Sequence, residues 1–208
     1  MPVIALVGNK GGAGKTTLAV NLADALSRRA TTVILDADPQ GSALQWQAFG
    51  AERNELVVLD ASEDPAASAR KLLDQYEHIV IDCPPSVHAP QLHAALSVAD
   101  VALIPVQPSP VDLWATVHIE KALERARAEN TQLAAMIVIN QLEARTTLSR
   151  LMREAVSELD VPVARTAIRR RAVYRSSALE GRSVLDMGRR GADAVAEIEH
   201  LLNEVIAS

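Results

Sequence analysis

The sequence has a single cysteine, Cys83, in 208 residues. That excludes both a disulfide framework and a metal site built on paired cysteines. Aromatic residues are almost missing; Trp46, Trp114, Phe49, Tyr76 and Tyr174 are the whole set. The core must then come from Leu, Val, Ile and Ala, which suits parallel strands covered by helices on both faces. No apolar run reaches the roughly 18 residues that a membrane span needs. No leader-like segment opens the sequence, since Met1-Pro2 passes directly into a strand-like run and then glycines; a cytoplasmic protein is expected. Lysine is scarce too, with four among the 21 basic residues. The net charge of −5 excludes a uniformly basic nucleic-acid binder. It does not exclude a local anion-binding surface, because Arg165 to Arg175 holds five arginines and no acid.

What is present is a regular alternation of short apolar runs with longer amphipathic ones. Val3–Val7, Thr32–Leu35, Leu56–Leu59, Ile79–Ile81, Val101–Val106 and Met136–Ile139 read as strands, with Val163–Ile168 a weaker seventh. Helical spacing marks Thr17–Arg28, Asp64–Tyr76, Pro90–Ser97, Asp112–Ala128, Thr146–Leu159 and Arg190–Ile206. The strands are continuously apolar, as expected where both sheet faces are covered. The pattern predicts an α/β fold, a doubly wound and mostly parallel sheet forming one domain over residues 1–208. Ligands of such sheets bind at the carboxyl ends of the strands.

One such end carries phosphate chemistry. Val3–Val7 runs into Gly8-Asn9-Lys10-Gly11-Gly12-Ala13-Gly14-Lys15-Thr16-Thr17 and then into a helix. Gly11, Gly12 and Gly14 let successive N–H groups face one anion, and the helix start adds the positive end of its dipole. Lys15 can reach β- and γ-phosphates, and the Thr16 hydroxyl can ligate Mg²⁺. Position 9, where the general pattern has glycine, is Asn9. Two acidic motifs follow at strand ends. Asp36-Ala37-Asp38-Pro39-Gln40 closes the second strand, and Asp82 closes the run Ile79–Ile81. Asp36 and Asp38, two apart on an extended tip, can face the nucleotide together. Asp82 fits the acidic position that holds Mg²⁺ in P-loop NTPases.

Lys10-Gly11-Gly12-Ala13-Gly14-Lys15-Thr16-Thr17, the Asp36–Gln40 segment and Asp82-Cys83-Pro84-Pro85 together resemble the deviant Walker-A ATPases of the ParA/MinD family, and the small ParA-type partition ATPases in particular. Gln107-Pro108-Ser109, Ile139-Asn140 and Gly181-Arg182-Ser183-Val184 extend the likeness along the chain. The resemblance implies ATP and Mg²⁺ as cofactors and a homodimer formed in ATP, with Lys10 reaching the phosphates held by the other subunit. It further implies that Lys10, Lys15 and Asp38 serve hydrolysis, Asp38 by orienting water. The loop from Gly11 to Thr17, with Ala13 in it, would bind nucleotide; Asn140 would read the adenine edge, and Thr16, Asp36 and Asp82 would surround the metal.

Relatives of this type serve different partners. A MinD-like membrane switch needs a basic amphipathic C-terminal helix; here Arg190–Ser208 carries Asp193, Glu197, Glu199 and Glu204 and no base after Arg190. A nitrogenase-type iron protein needs two cluster cysteines per subunit. A dimeric P-loop enzyme without DNA binding is the alternative, although no polar constellation marks a substrate pocket for it. The arginines favour sequence-independent contact with DNA phosphates through Arg145, Arg169, Arg170, Arg171 and Arg175. Arg145 stands where the family carries a DNA-contacting arginine, and Arg150 and Arg153 follow it. The expectation is a nucleoid-associated ATPase that positions a plasmid, a chromosome region, a carboxysome or a chemoreceptor cluster, reset by an adaptor protein that stimulates hydrolysis. Trp46 and Trp114 each follow an active-site loop, where packing and sensing of a partner are both open.

Overall fold

The computed structural model describes residues 3–50, 56–143 and 160–207. Six strands form one parallel sheet: β1 (Val3–Leu6), β2 (Thr32–Asp36), β3 (Val57–Asp60), β4 (His78–Asp82), β5 (Val101–Val106) and β6 (Ala134–Ile139). Their order is β3-β2-β4-β1-β5-β6. The chain thus winds outward from β1 in both directions, and the crevice of a doubly wound sheet opens at the carboxyl end of β1.

Alternation along the strands divides the core in two. Val3, Ala5 and Val7 pack with Leu92, Leu96, Leu123 and Ala126 on one face. Helices α3 (Pro65–Leu72), α4 (Pro90–Val98) and α5 (Pro110–Glu129) cover that side. Ile4 and Leu6 pack with Leu18, Leu22, Trp46, Ile198 and Leu202 on the other. There lie α1 (Lys15–Ser27), α2 (Ser42–Gly50), α6 (Ala172–Leu179) and α7 (Ala192–Ile206). Local chemistry sets several starts. Asp64 accepts the Ala67 N–H at 2.9 Å and Pro65 opens α3, while Pro90 opens α4; a proline fits the first helical position because its missing N–H has no partner there anyway.

Two details depart from the sequence reading. Helices α2 and α6 were not anticipated. The helix expected over Thr146–Leu159 lies outside the described residues. The seventh strand is not one. Only two isolated parallel bridges, Ile137 with Val163 and Leu142 with Arg169, join that segment to the chain beside it. The Ala164 N–H bonds the Ile137 carbonyl and the Ile168 N–H bonds the Ile139 carbonyl. Four residues therefore advance against two, and the excess bulges outward. Glu204 of α7 accepts from the displaced N–H groups, Arg165 at 2.7 Å and Thr166 at 2.9 Å, so the bulge leaves no polar debt there.

Helix α2 ends in a backbone crossing. Gly50 meets Gly181, whose φ is +62°, and a Cβ on either residue would overlap the backbone of the other. Trp46 Nε1 donates to the Arg182 carbonyl at 3.2 Å one turn earlier. Gly181→Ala forces a side chain into a left-handed backbone and into α2, and should cost about 2–4 kcal/mol. Equilibrium urea unfolding measures the loss. A change below about 0.5 kcal/mol would show that the crossing opens freely.

Candidate functional site: a phosphate-type loop and its trough

Register assembles the site. β4 pairs Asp82 with Leu6 of β1 on one side and with Asp36 of β2 on the other. The glycine loop leaves β1 one residue beyond Leu6, so the loop and both carboxylates gather at one end of three adjacent strands.

The loop turns through Gly12 at φ +80° and Gly14 at φ +93°. Gly14 caps α1, which has no acid in its first turn, so the helix start offers its N–H groups and positive dipole end to an anion. A Cβ on Gly14 would collide with the Asn140 amide. Side chains from neighbouring strand ends hold the loop's carbonyls. Gln107 Nε2 donates to the Gly12 carbonyl at 2.6 Å and Gln141 Nε2 donates to the same oxygen at 3.0 Å. Asn140 Nδ2 donates to the Ala13 carbonyl at 2.7 Å, and Lys15 Nζ lies 3.4 Å from the Lys10 carbonyl. Asn9 also acquires a role, because its Oδ1 accepts the Val87 N–H at 3.3 Å and ties the loop to the turn after β4. Neither Gln141 nor this use of Asn9 was anticipated. Gln141 gives a sign only in three dimensions, as the one non-glycine residue with positive φ (55°) among those described.

Asp82 is buried, and neither carboxylate oxygen has a well-formed hydrogen bond, although the Thr16 hydroxyl is near enough to favour its charged form. Burial pushes its carboxyl up to about 7; the Thr16 hydroxyl and Lys15 pull it down, and Asp36 and Asp38 push it further up. Burial also lowers the Lys15 ammonium, against the attraction of Asp82, Cys83 and Asp38. Opposite charges support each other here, yet desolvation wins for both. A buried carboxylate short of partners beside a threonine hydroxyl fits a hard divalent cation that brings its own water and phosphate ligands. No group of three or more His, Cys, Asp or Glu forms a metal cage among the described residues, so the ligands beyond Thr16 and Asp82 would have to be of that kind.

Asp36 is differently occupied. Its Oδ2 accepts from Ala43 N–H at 2.9 Å and Leu44 N–H at 3.0 Å, and its Oδ1 accepts from Asp38 N–H at 3.2 Å. It thus anchors the start of α2 and the turn between, while burial still raises its carboxyl. Asp38, half-buried, accepts the Gln40 N–H at 3.0 Å. Asp38 borders one cavity with Gly11, Lys15, Thr16 and Trp46. Trp46 therefore packs in the core and also lines the site. A second cavity of about 220 Å³ is lined by Leu18, Asn140, Ile168, Tyr174 and Ala178. Gly14, Thr17 and Gln141 border both, which makes them one trough. Lys10, in the same loop, is exposed.

Arg169, Arg170, Arg171 and Arg175 line the second cavity rather than a separate face. Three are paired with acids: Arg169 with Glu197, Arg170 with Glu143 at 2.6 Å, and Arg171 with both Glu197 and Asp193. Arg175 is exposed on α6. Arg145, Arg150, Arg153 and the side chain of Trp114 lie outside the described residues.

A sequence family described as the CobQ/CobB/MinD/ParA nucleotide binding domain matches residues 4–184. The chain is 39% identical over 208 residues to the maintenance of carboxysome distribution protein A of Halothiobacillus neapolitanus, covering 99% of this chain and 96% of that one. Among solved structures it resembles an ATP complex of a Cyanothece McdA variant, with TM-score 0.75, 17% identity, and 100% and 96% of the two chains covered. It also resembles the septum site-determining protein MinD of Pyrococcus horikoshii complexed with Mg-ADP, with TM-score 0.72, 22% identity, and 98% and 95% covered. At those identities the structural likeness is one of fold.

The state of Asp82 sets a pH dependence. Its carboxyl sits at about 7 when folded, against an ordinary 3.8. The unfolded chain therefore gives up that proton first, and stability falls as pH rises between those values. Asp82→Asn removes this loss. Without ligands it should be more stable than wild type at about pH 8, by up to about 4 kcal/mol, with the gain gone by about pH 4. Thermal melts across that range measure it, and a gain independent of pH would assign the titration to another group.

Proposed function

The chain belongs to the CobQ/CobB/MinD/ParA nucleotide-binding family, and from that premise we propose that it is an ATP-driven positioning switch whose cargo is the carboxysome. The carrying observation is the trough itself, in which the glycine loop and buried Lys15 adjoin a second cavity large enough for a base, with the buried carboxylate of Asp82 beneath, under the influence of Thr16 and Lys15. The triphosphate lies along the loop N–H groups with Lys15 against its β- and γ-phosphates. Thr16 and Asp82 hold Mg²⁺, which when bound neutralises phosphate charge. Asp38 orients the attacking water, and Asp36 keeps the Asp38 turn in place through its bonds to the start of α2. Asn140 borders the base cavity while one of its N–H groups steadies Ala13. Lys10, exposed in the loop, reaches the phosphates of a second subunit, so that ATP becomes part of a homodimer interface that hydrolysis weakens.

Identity across nearly the whole length to a carboxysome distribution protein supports the cargo. The job further requires an adaptor protein on the cargo that stimulates hydrolysis. It also requires a nucleoid matrix, bound without sequence preference through Arg145, Arg169, Arg170 and Arg175. Exposed ion pairs such as that of Arg170 with Glu143 are worth about 1 kcal/mol or less and yield readily to DNA phosphate. Arg171, bonded to two acids and largely covered, contributes least. Membrane docking through the C-terminal helix has no support, because the apolar side of α7 is spent on the core through Ala194, Ile198, Leu201, Leu202 and Val205.

Asp38→Ala should bind ATP and dimerise as wild type does yet hydrolyse at least about a hundredfold more slowly, read by phosphate release and size-exclusion in ATP. Fast hydrolysis by this variant would move the water-orienting role elsewhere. In ATP, the double change Arg169→Ala with Arg170→Ala should flatten the log–log salt slope of DNA binding by about 1.8 per subunit, at about 0.9 per lost contact. Arg171→Ala should leave that slope unchanged. A wild type that binds no duplex DNA in ATP would favour a P-loop enzyme that works without DNA.

A further inference from the structure

We propose that Glu197, on the C-terminal helix α7, is a positioning residue for the nucleotide base, acting through the Ile168–Arg171 wall of the trough. It rests on the reading of the second cavity as the base site. Glu197 lines neither cavity, but it grips that wall from behind. Its Oε2 accepts the Arg169 N–H at 3.2 Å, and its Oε1 accepts from Arg171 Nε at 3.1 Å and Nη2 at 2.7 Å. The pair is bidentate on the arginine side, the geometry that fixes orientation as well as distance. Asp193, one turn earlier on α7, accepts from Arg171 Nη1 at 2.9 Å. Glu204, two turns later, holds Arg165 and Thr166.

The wall needs such support because the bulge interrupts its ladder. Past the bulge the Ile168 N–H bonds the Ile139 carbonyl and the Arg170 N–H bonds the Leu142 carbonyl. The Arg169 N–H between them points the other way and finds Glu197 on α7, as the N–H groups of Arg165 and Thr166 in the bulge find Glu204. The glutamate side chain is 13% exposed and so is held in a partly dehydrated setting, where a charge-assisted bond is stronger than on the open surface. Losing it leaves Arg171 with the Asp193 bond alone of the two, a looser hold beside the cavity, and lets the Arg169 backbone relax. The glycine loop is braced by other residues, Gln107, Asn140 and Gln141. Base and phosphate affinity therefore separate.

The test compares a ligand that has a base with one that lacks it, on the full chain, by calorimetry with ADP and with inorganic tripolyphosphate. Glu197→Ala should weaken ADP binding about tenfold while leaving tripolyphosphate within about twofold. Glu197→Gln keeps one acceptor, enough for the Arg169 N–H or for Arg171 but not for both, and removes the charge. It should fold like wild type and show the same selective loss at about threefold, so it carries the test alone should Glu197→Ala not fold. An equal loss for both ligands, or no loss for ADP, overturns the assignment. A wild type that binds tripolyphosphate but not ADP sinks the base-site reading instead, before any variant is compared.

Discussion

A loop whose N–H groups are offered to an anion leaves its carbonyls to find donors elsewhere, and a fixed loop needs those donors to be fixed too. That requirement organises much of what surrounds the glycine loop. Gln107 comes from the end of β5, Asn140 and Gln141 from the end of β6, and Asn9 reaches toward the turn after β4. The sheet order sets β5 beside β1 and β6 next outward, so two strand ends are within reach of one loop. Asn140 and Gln141 also line the second cavity, so part of the brace is part of its wall.

The acids divide labour in a way that follows from their depth. Asp36 and Asp82 are paired across the β2–β4 register and both are buried. One is satisfied by the backbone of α2, and the other is left with unmet acceptors next to Lys15. The first can hold a turn and the second can take a cation. Environment rather than residue type separates them.

Most of this architecture was legible in the residues. Continuously apolar strands implied a sheet covered on both faces, and six of the proposed strands exist in the parallel sheet. The glycine loop, Lys15, Thr16, Asp38 and Asp82 do converge. Misreadings have physical causes. Ser42–Gly50 carries no charge and no clean apolar stripe, and its start is fixed by Asp36, six residues upstream, rather than by a local cap. Val163–Ile168 has strand composition, but its register breaks against β6 and distant carboxylates take its donors. The arginine run looked like an acid-free patch because its acids are 22 to 39 residues away in sequence, at Asp193, Glu197 and Glu204 on α7, and at Glu143. Proximity along the chain had stood in for proximity in space.

The bulge between Ala164 and Ile168 sets four residues against two, so chain length at this bend, as much as residue identity, decides where the wall stands. A segment two residues shorter would meet β6 as a regular strand and carry Arg169–Arg171 back along the sheet by two positions. The shape of the far end of the trough is thereby tied to the length of one bend as well as to the side chains that line it.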